Sequence, residues 1–262
     1  MAKFEAELYK KFRILYPKKL FEALKPYCKA AQSDPLLVLD LGAGTGLASA
    51  SFLDFYPNAL LTLLEPDPAM LAEALELLGP QNIDSITAPA ESWESSQEFD
   101  LVLVASAWHW MEPYSTMASI LKSLKPGGVI SVFEYQFPKA QGANAGALNE
   151  WVRRQFNVLW KPETQVPRGS LAELTEPLRA CIELSQVKEV SFEESQSLNL
   201  ETFLGVIRSQ SRYLAYERQL SNEEKIAYKK NLHSEIENLW GPECAVSFLY
   251  SFRAYCFRRR SF

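Results

Sequence analysis

Apolar and polar positions alternate along the chain in blocks that predict strands and helices in turn. Residues 9–28 place Phe12, Leu15, Leu20, Phe21 and Leu24 among Lys and Arg at helical spacing, and Pro17 interrupts the period, so two short helices are expected. Residues 36–41 form a compact apolar run that suits a parallel strand covered on both faces, and a helix is expected over 47–56. The unit repeats: residues 59–64 are strand-like, and 68–78 present Met70, Leu71, Ala74 and Leu78 to one helical face. Residues 83–87 are a weaker strand and 99–105, dense in Val and Leu, a strong one. A helix over 115–124 is stopped by Lys125-Pro126-Gly127-Gly128 before a strand at 129–133. Such alternation implies an α/β fold with a doubly wound parallel sheet.

Beyond Tyr135 the alternation lapses. Residues 136–182 hold a Gly, Ala and Asn-rich stretch and then helical pieces rich in Trp, Arg and Pro, the composition of an inserted cap. A strand at 187–192, a helix at 200–216, a charged amphipathic helix at 222–239 closed by Gly241-Pro242 and a last strand at 246–257 follow. The expected organisation is one large domain: N-terminal helices and binding core over 1–135, a helical cap over 136–186, and a C-terminal completion of the sheet over 187–262.

Composition narrows the partners. The 262 residues are 47% hydrophobic and 23% charged, ordinary for a globular protein, and a net charge of -5 disfavours nucleic acid, which needs clustered cations. Arg258-Arg259-Arg260 is expected to be a solvated strand end. The N-terminus lacks the apolar stretch of a signal peptide, and no segment is apolar enough to span a bilayer. Cys28, Cys181, Cys244 and Cys256 form no C-x-x-C pair, so a reduced cytoplasm with buried thiols, and no metal site, is expected. The oligomeric state stays open between monomer and homodimer.

The strongest chemical signal is Asp40-Leu41-Gly42-Ala43-Gly44-Thr45-Gly46, between a predicted strand and a predicted helix. Glycines there let a backbone approach a ligand, and their G-x-G-x-G spacing differs from the G-x-G-x-x-G of dinucleotide sites. Glu65 ends the next strand about 20 residues on, where an acidic side chain can accept from two ribose hydroxyls, and Asp67 is placed to cap the helix beginning at Pro68. Ala105-Ser106-Ala107-Trp108-His109-Trp110 follows the fourth strand, at the edge where open sheets bind ligands.

These residues resemble the class I S-adenosylmethionine-dependent methyltransferases, in the small-molecule branch that includes trans-aconitate and ubiquinone or biotin-pathway enzymes. Four motifs occur in order: residues 38–46, Leu64-Glu65-Pro66-Asp67, Ala88-Pro89-Ala90-Glu91-Ser92-Trp93, and residues 124–130. The resemblance covers roughly residues 36–135 and is architectural outside them. It implies a Rossmann-like sheet of seven strands with the last antiparallel, a helical cap, and S-adenosylmethionine as the cofactor. It also implies that Asp40, Gly42, Ala43, Gly44 and Gly46 hold the methionine portion, with Glu65 and Pro66 at the ribose, Ala90 and Glu91 at the adenine, and Ala105 beside the cofactor. Trp93 either packs over the adenine or belongs to the core. Trp108, His109 and Trp110 match an aromatic-His-Trp stretch near the transferred methyl, so His109 is the candidate catalytic residue, acting or merely packing. Arg13 and Tyr16 match a segment that folds over the cofactor.

Methyl transfer is a displacement that alignment and exclusion of water can accelerate without a side-chain nucleophile. A carboxylate acceptor needs no base; a hydroxyl or carbon acid would need one, which His109 could supply. Trp151, Arg153, Arg154, Trp160, Arg168 and Ser209-Gln210-Ser211-Arg212 are candidates for contacting the acceptor, and arginines, Arg153 and Arg212 among them, suit an acidic small molecule. Two other readings stand beside this one: a non-catalytic S-adenosylmethionine-binding protein, and, against the glycine spacing, an NAD-dependent oxidoreductase.

Overall fold

The computed structural model describes residues 3–27, 35–79, 83–94, 97–143, 145–160 and 169–261. The first helices are α1 (Lys3–Phe12) and α2 (Lys18–Glu22), separated as expected at Pro17, whose φ of -63° opens α2. Then come β1 (Leu37–Leu41), α3 (Leu47–Phe55), β2 (Leu60–Leu64), α4 (Pro68–Leu78), β3 (Ile83–Ile86) and β4 (Phe99–Ala105). A single 3-10 turn (Trp108–Trp110), α5 (Pro113–Ser123), β5 (Leu124–Tyr135), β6 (Lys139–Ala140) and α6 (Ala145–Arg154) follow. A π turn (Gln155–Leu159), α7 (Leu171–Leu174) and α8 (Glu176–Ala180) lead to β7 (Leu184–Leu198). The chain ends with α9 (Leu200–Arg208), α10 (Ser211–Glu217), α11 (Asn222–Trp240) and β8 (Val246–Arg259).

The sheet runs β3-β2-β1-β4-β5-β8, with β1 to β5 mutually parallel and β8 antiparallel to β5. β7 runs antiparallel along β8, and the two residues of β6 also pair with β8, so the sheet has eight strands rather than seven. Side chains alternate across it: Val38 enters one core with Phe52, Leu101 and Phe133, while Leu39 and Leu41 enter the opposite core with Val102, Val104 and Ile130. Helices cover both faces, which is why β1 and β4 are nearly continuous apolar runs. The chain order reverses between β1 and β4, and a crevice forms beyond their carboxyl ends.

The departures from expectation have local causes. Strand β5 starts at Leu124, which pairs with Phe99; the register then shifts, so Lys125-Pro126-Gly127-Gly128 is a bulge within a strand and not a break before one. Lys125 Nζ meets Asp100 Oδ1 at 2.9 Å across that bulge. Helix α5 begins at Pro113 because the Glu112 carboxylate caps it, accepting from the Tyr114 and Ser115 amides. The helix expected over 200–216 divides at Ser209-Gln210, whose side chains both donate to Val206 O. β7 is longer than expected because β8 gives it a partner along its whole length. Within the segment expected as a cap, β6 joins the main sheet.

Of the described cysteines Cys256 is buried, Cys181 half-buried and Cys244 exposed, so buried thiols were the wrong expectation for Cys244; Cys28 lies outside the described residues. The arginine run is fastened and not merely solvated: Arg258, Arg259 and Arg260 donate to the carbonyls of Tyr27, Leu124 and Leu184. Among the described residues no helix is long and apolar enough to cross a membrane, and no cluster of His, Cys, Asp and Glu could hold a metal ion.

Candidate active site

A cavity of about 850 Å³ opens beyond the carboxyl ends of β1, β2, β4 and β5. Its first wall is the glycine turn after β1. The Gly42 and Ala43 amides both donate to Leu64 O, at 2.8 and 3.1 Å, which ties the turn to the end of β2. Gly42 has φ +72°, and a Cβ there would stand 2.7 Å from Ala107 Cβ, so only glycine lets the turn pass the segment after β4. The Glu65 carboxylate is 8% exposed at the foot of this wall. Its Oε2 accepts from the Gly44 amide at 2.9 Å and its Oε1 from the Asp67 amide at 3.0 Å. Burial pushes its pKa up, and the Gly44 bond opposes that by favouring the charged form. Asp67 lines the cavity and caps α4, accepting from the Ala69 amide at 2.9 Å. Pro66, Pro89, Ala90 and Glu91 continue the wall, and Glu91 is fixed by the Glu112 amide, which donates to its Oε1 at 2.9 Å.

The second wall gathers distant segments. Ala105 and Ser106 end β4, and Ser106, at φ +50°, is the single non-glycine residue with positive φ among the described residues. Its amide donates to Phe133 O at 2.7 Å, and its hydroxyl meets the Tyr16 phenol at 2.9 Å. Backbone strain of this kind persists where the surroundings over-determine it. His109 and Trp110 face the cavity with their rings 5.1 Å apart. Burial pushes the Tyr16 and Tyr135 phenols up in pKa, Tyr16 strongly, so both stay protonated donors at neutral pH. Arg13 lies over the Tyr9 ring at 4.6 Å and donates from Nη2 to Ser209 O at 3.1 Å, while its buried Nε has no partner among the described residues. Arg212 lies 5.9 Å from the Phe156 ring and donates to Phe156 O at 3.3 Å. No Asp or Glu among the described residues forms an ion pair with either arginine.

Several expected site residues stand elsewhere. Asp40 is fully buried behind the turn, where its Oδ2 accepts from Ser49 Oγ at 2.6 Å, and burial pushes its pKa up to about 6. Gly46 opens α3 with φ +78°, and a Cβ there would stand 3.0 Å from Ala74 Cβ, so it packs α3 on α4 and does not line the cavity. Trp108 is 3% exposed and donates from Nε1 to Leu174 O at 2.7 Å, which makes it a strut beneath the wall. Arg153 is exposed and held by Glu150 through two bonds of 2.8 and 2.6 Å, away from the cavity. Trp93 packs in the core with Phe99, and Trp160 is buried, donating to Tyr228 Oη. Trp151 bonds Glu235 at the surface, Arg154 is exposed, and Arg168 lies outside the described residues. The cavity also holds residues that sequence reasoning did not single out as site residues: Tyr9, Glu134, Tyr135, Phe137 and Phe156. No motif marks them, because they meet only through the fold.

Residues 38–128, which supply the glycine turn, Glu65 and the loop at 89–91, match the family of the methyltransferase domain. Over those residues the chain is similar to methyltransferase domains. A malonyl-[acyl-carrier protein] O-methyltransferase of Acetivibrio thermocellus is 28% identical over 115 residues, 44% of this chain and 41% of that protein. A trans-aconitate 2-methyltransferase of Streptomyces avermitilis is 29% identical over 103 residues, 37% of this chain and 38% of that protein. The aligned regions thus span less than half of either relative. The solved structure of a proposed type II methyltransferase from Anaeromyxobacter dehalogenans superposes with a TM-score of 0.70 at 20% identity, covering 96% of this chain and 100% of that one, and so shares the fold. The methyltransferase domain accounts for the first wall; the second wall lies mostly outside the matched residues.

Proposed function

We propose that the protein moves the methyl group of S-adenosylmethionine to the carboxylate of a small organic acid. The observation that carries the acidic acceptor is the pair of cavity-lining guanidiniums, Arg13 and Arg212, which are bonded to backbone carbonyls and lack carboxylate partners among the described residues. A charge held in a partly desolvated wall without a counter-charge is costly, and an anionic ligand relieves that cost. Two of the relatives, a malonyl-[acyl-carrier protein] O-methyltransferase and a trans-aconitate 2-methyltransferase, support the same reading.

The first wall fits the methyl donor. Against a Cβ at Gly44 the nearest atom is Met70 Cε at 3.6 Å, so the turn is open on its cavity side, and the Glu65 oxygens keep lone pairs for ribose hydroxyls. Gly42, Ala43 and Gly44 then border the methionine portion, Glu65 and Pro66 the ribose, and Ala90 and Glu91 the adenine, while Asp40 and Gly46 hold the turn from behind. The bound donor supplies an electrophilic methyl on a sulfonium.

A carboxylate oxygen lone pair forms the new C–O bond while the C–S bond breaks and sulfur keeps its electron pair. No proton is transferred, so no general base is needed. Arg13 and Arg212 orient the acid. The Tyr16 phenol, fixed by Ser106, and His109 with Trp110 border the reacting centre and exclude water. Such alignment is the principal source of rate in a displacement of this type. Incubating the protein with methyl-labelled S-adenosylmethionine and separate pools of small acids and small amines tests the proposal. Label in base-labile esters of the acids is expected; label confined to the amines would contradict the acidic acceptor.

A further inference from the structure

We infer that the acceptor is an acid with an aromatic or long apolar body, and not a compact polyacid; this deepens the carboxylate reading above and rests on it. The observation is how the second wall divides its polar and apolar surface. Tyr9, Tyr135, Phe137, Phe156 and Trp110 all line the cavity, and none of them is fully buried. They form connected groups: Tyr135 packs on Tyr16 at 5.7 Å between ring centres, and Phe137 on Phe156 at 5.2 Å. The two arginines lean on this surface, Arg13 over Tyr9 and Arg212 near Phe156, so that each offers an edge while a ring covers its face. Three polar side chains of the wall are taken up by the protein itself. Ser209 Oγ and Gln210 Nε2 donate to Val206 O at 2.8 and 3.0 Å, and the Tyr16 phenol is engaged by Ser106.

A compact polyacid would press carboxylates against the Phe137 and Phe156 rings, which return no hydrogen bond for the lost water, and that is unfavourable. An acid with one charged end meets a guanidinium edge there and covers the rings with its apolar body, removing their surface from water. Charge complementarity at one end and apolar coverage along the rest specify an amphipathic acid.

The test measures kcat/KM for methyl ester formation on 3-phenylpropionate and decanoate against succinate and citrate, together with the affinity for S-adenosylhomocysteine. The amphipathic acids are expected to exceed the compact ones by at least about tenfold, in line with several methylenes of burial. Phe156→Ala is expected to lower kcat/KM for 3-phenylpropionate roughly tenfold with unchanged S-adenosylhomocysteine affinity, and Phe156→Leu to retain most of it. Preference for succinate or citrate by the unaltered protein, with S-adenosylhomocysteine bound, overturns this inference and leaves the methyltransferase reading standing. Transfer to amines alone overturns this inference and the carboxylate reading it rests on, and absence of S-adenosylhomocysteine binding overturns the methyltransferase reading as well.

Discussion

On the first wall of the cavity backbone amides hold a carboxylate; on the second, guanidiniums hang from backbone carbonyls. Glu65 receives the amides of Gly44, 21 residues away, and of Asp67, two residues away. Arg13 reaches Ser209 across 196 residues, Tyr16 reaches Ser106 across 90, and Arg212 reaches Phe156 across 56. The first wall is thus made by consecutive strand-turn-helix units, whose geometry local sequence dictates. The second is made where chain ends and late helices meet, and it can vary without disturbing the first.

If the walls are separable, a change in one should leave the other intact. The largest effect is expected from Glu65→Ala, which removes a charged acceptor of two backbone bonds and the group proposed to hold the ribose. At about 1.5–3 kcal/mol for bonds to a charged group, S-adenosylhomocysteine affinity should fall 10- to 100-fold by calorimetry. Unchanged affinity would remove Glu65 from the donor site. Arg13→Gln comes next: the acceptor KM should rise about tenfold while S-adenosylhomocysteine affinity holds, and a matching loss of both would mean that the walls are coupled.

The contrast also governs what the sequence discloses. The glycine spacing, Glu65 at a strand end and Asp67 before Pro68 could be placed from the chain alone, because each belongs to a turn whose neighbours in sequence are its neighbours in space. Asp40 and Gly46 belong to the same motif, yet strand alternation and helix packing turn them away from the cavity. Motif membership does not say which way a side chain points. Trp108 and His109 are adjacent, but the 3-10 turn buries one under Leu174 O and presents the other. Arg153 had the right chemistry for an acid, and its own neighbour Glu150 takes it up. Tyr135, Phe137 and Phe156 were illegible because nothing local distinguishes a ring that lines a cavity from one that fills a core.

A smaller effect concerns the turn's support. Burial raises the folded pKa of Asp40 from its ordinary 3.8 to about 6, so between those values the folded state binds more protons than the unfolded one. Stability should therefore fall as pH rises from about 4 to 6, and Asp40→Asn should flatten that slope, seen as a change of a few degrees in Tm across the window. Buried Glu65 adds a slope of the same sign, so some pH dependence should remain. The smallest effect is expected from Arg153→Ala, which opens an exposed ion pair with Glu150 outside the cavity: neither Tm nor turnover should change measurably. A tenfold loss of turnover would bring residue 153 back to the acceptor site.

The most direct test of the central claim is calorimetric titration of the unaltered protein with S-adenosylhomocysteine and, separately, with NAD. The account predicts saturable binding of S-adenosylhomocysteine and none of NAD; binding of NAD alone, or of neither, would contradict it.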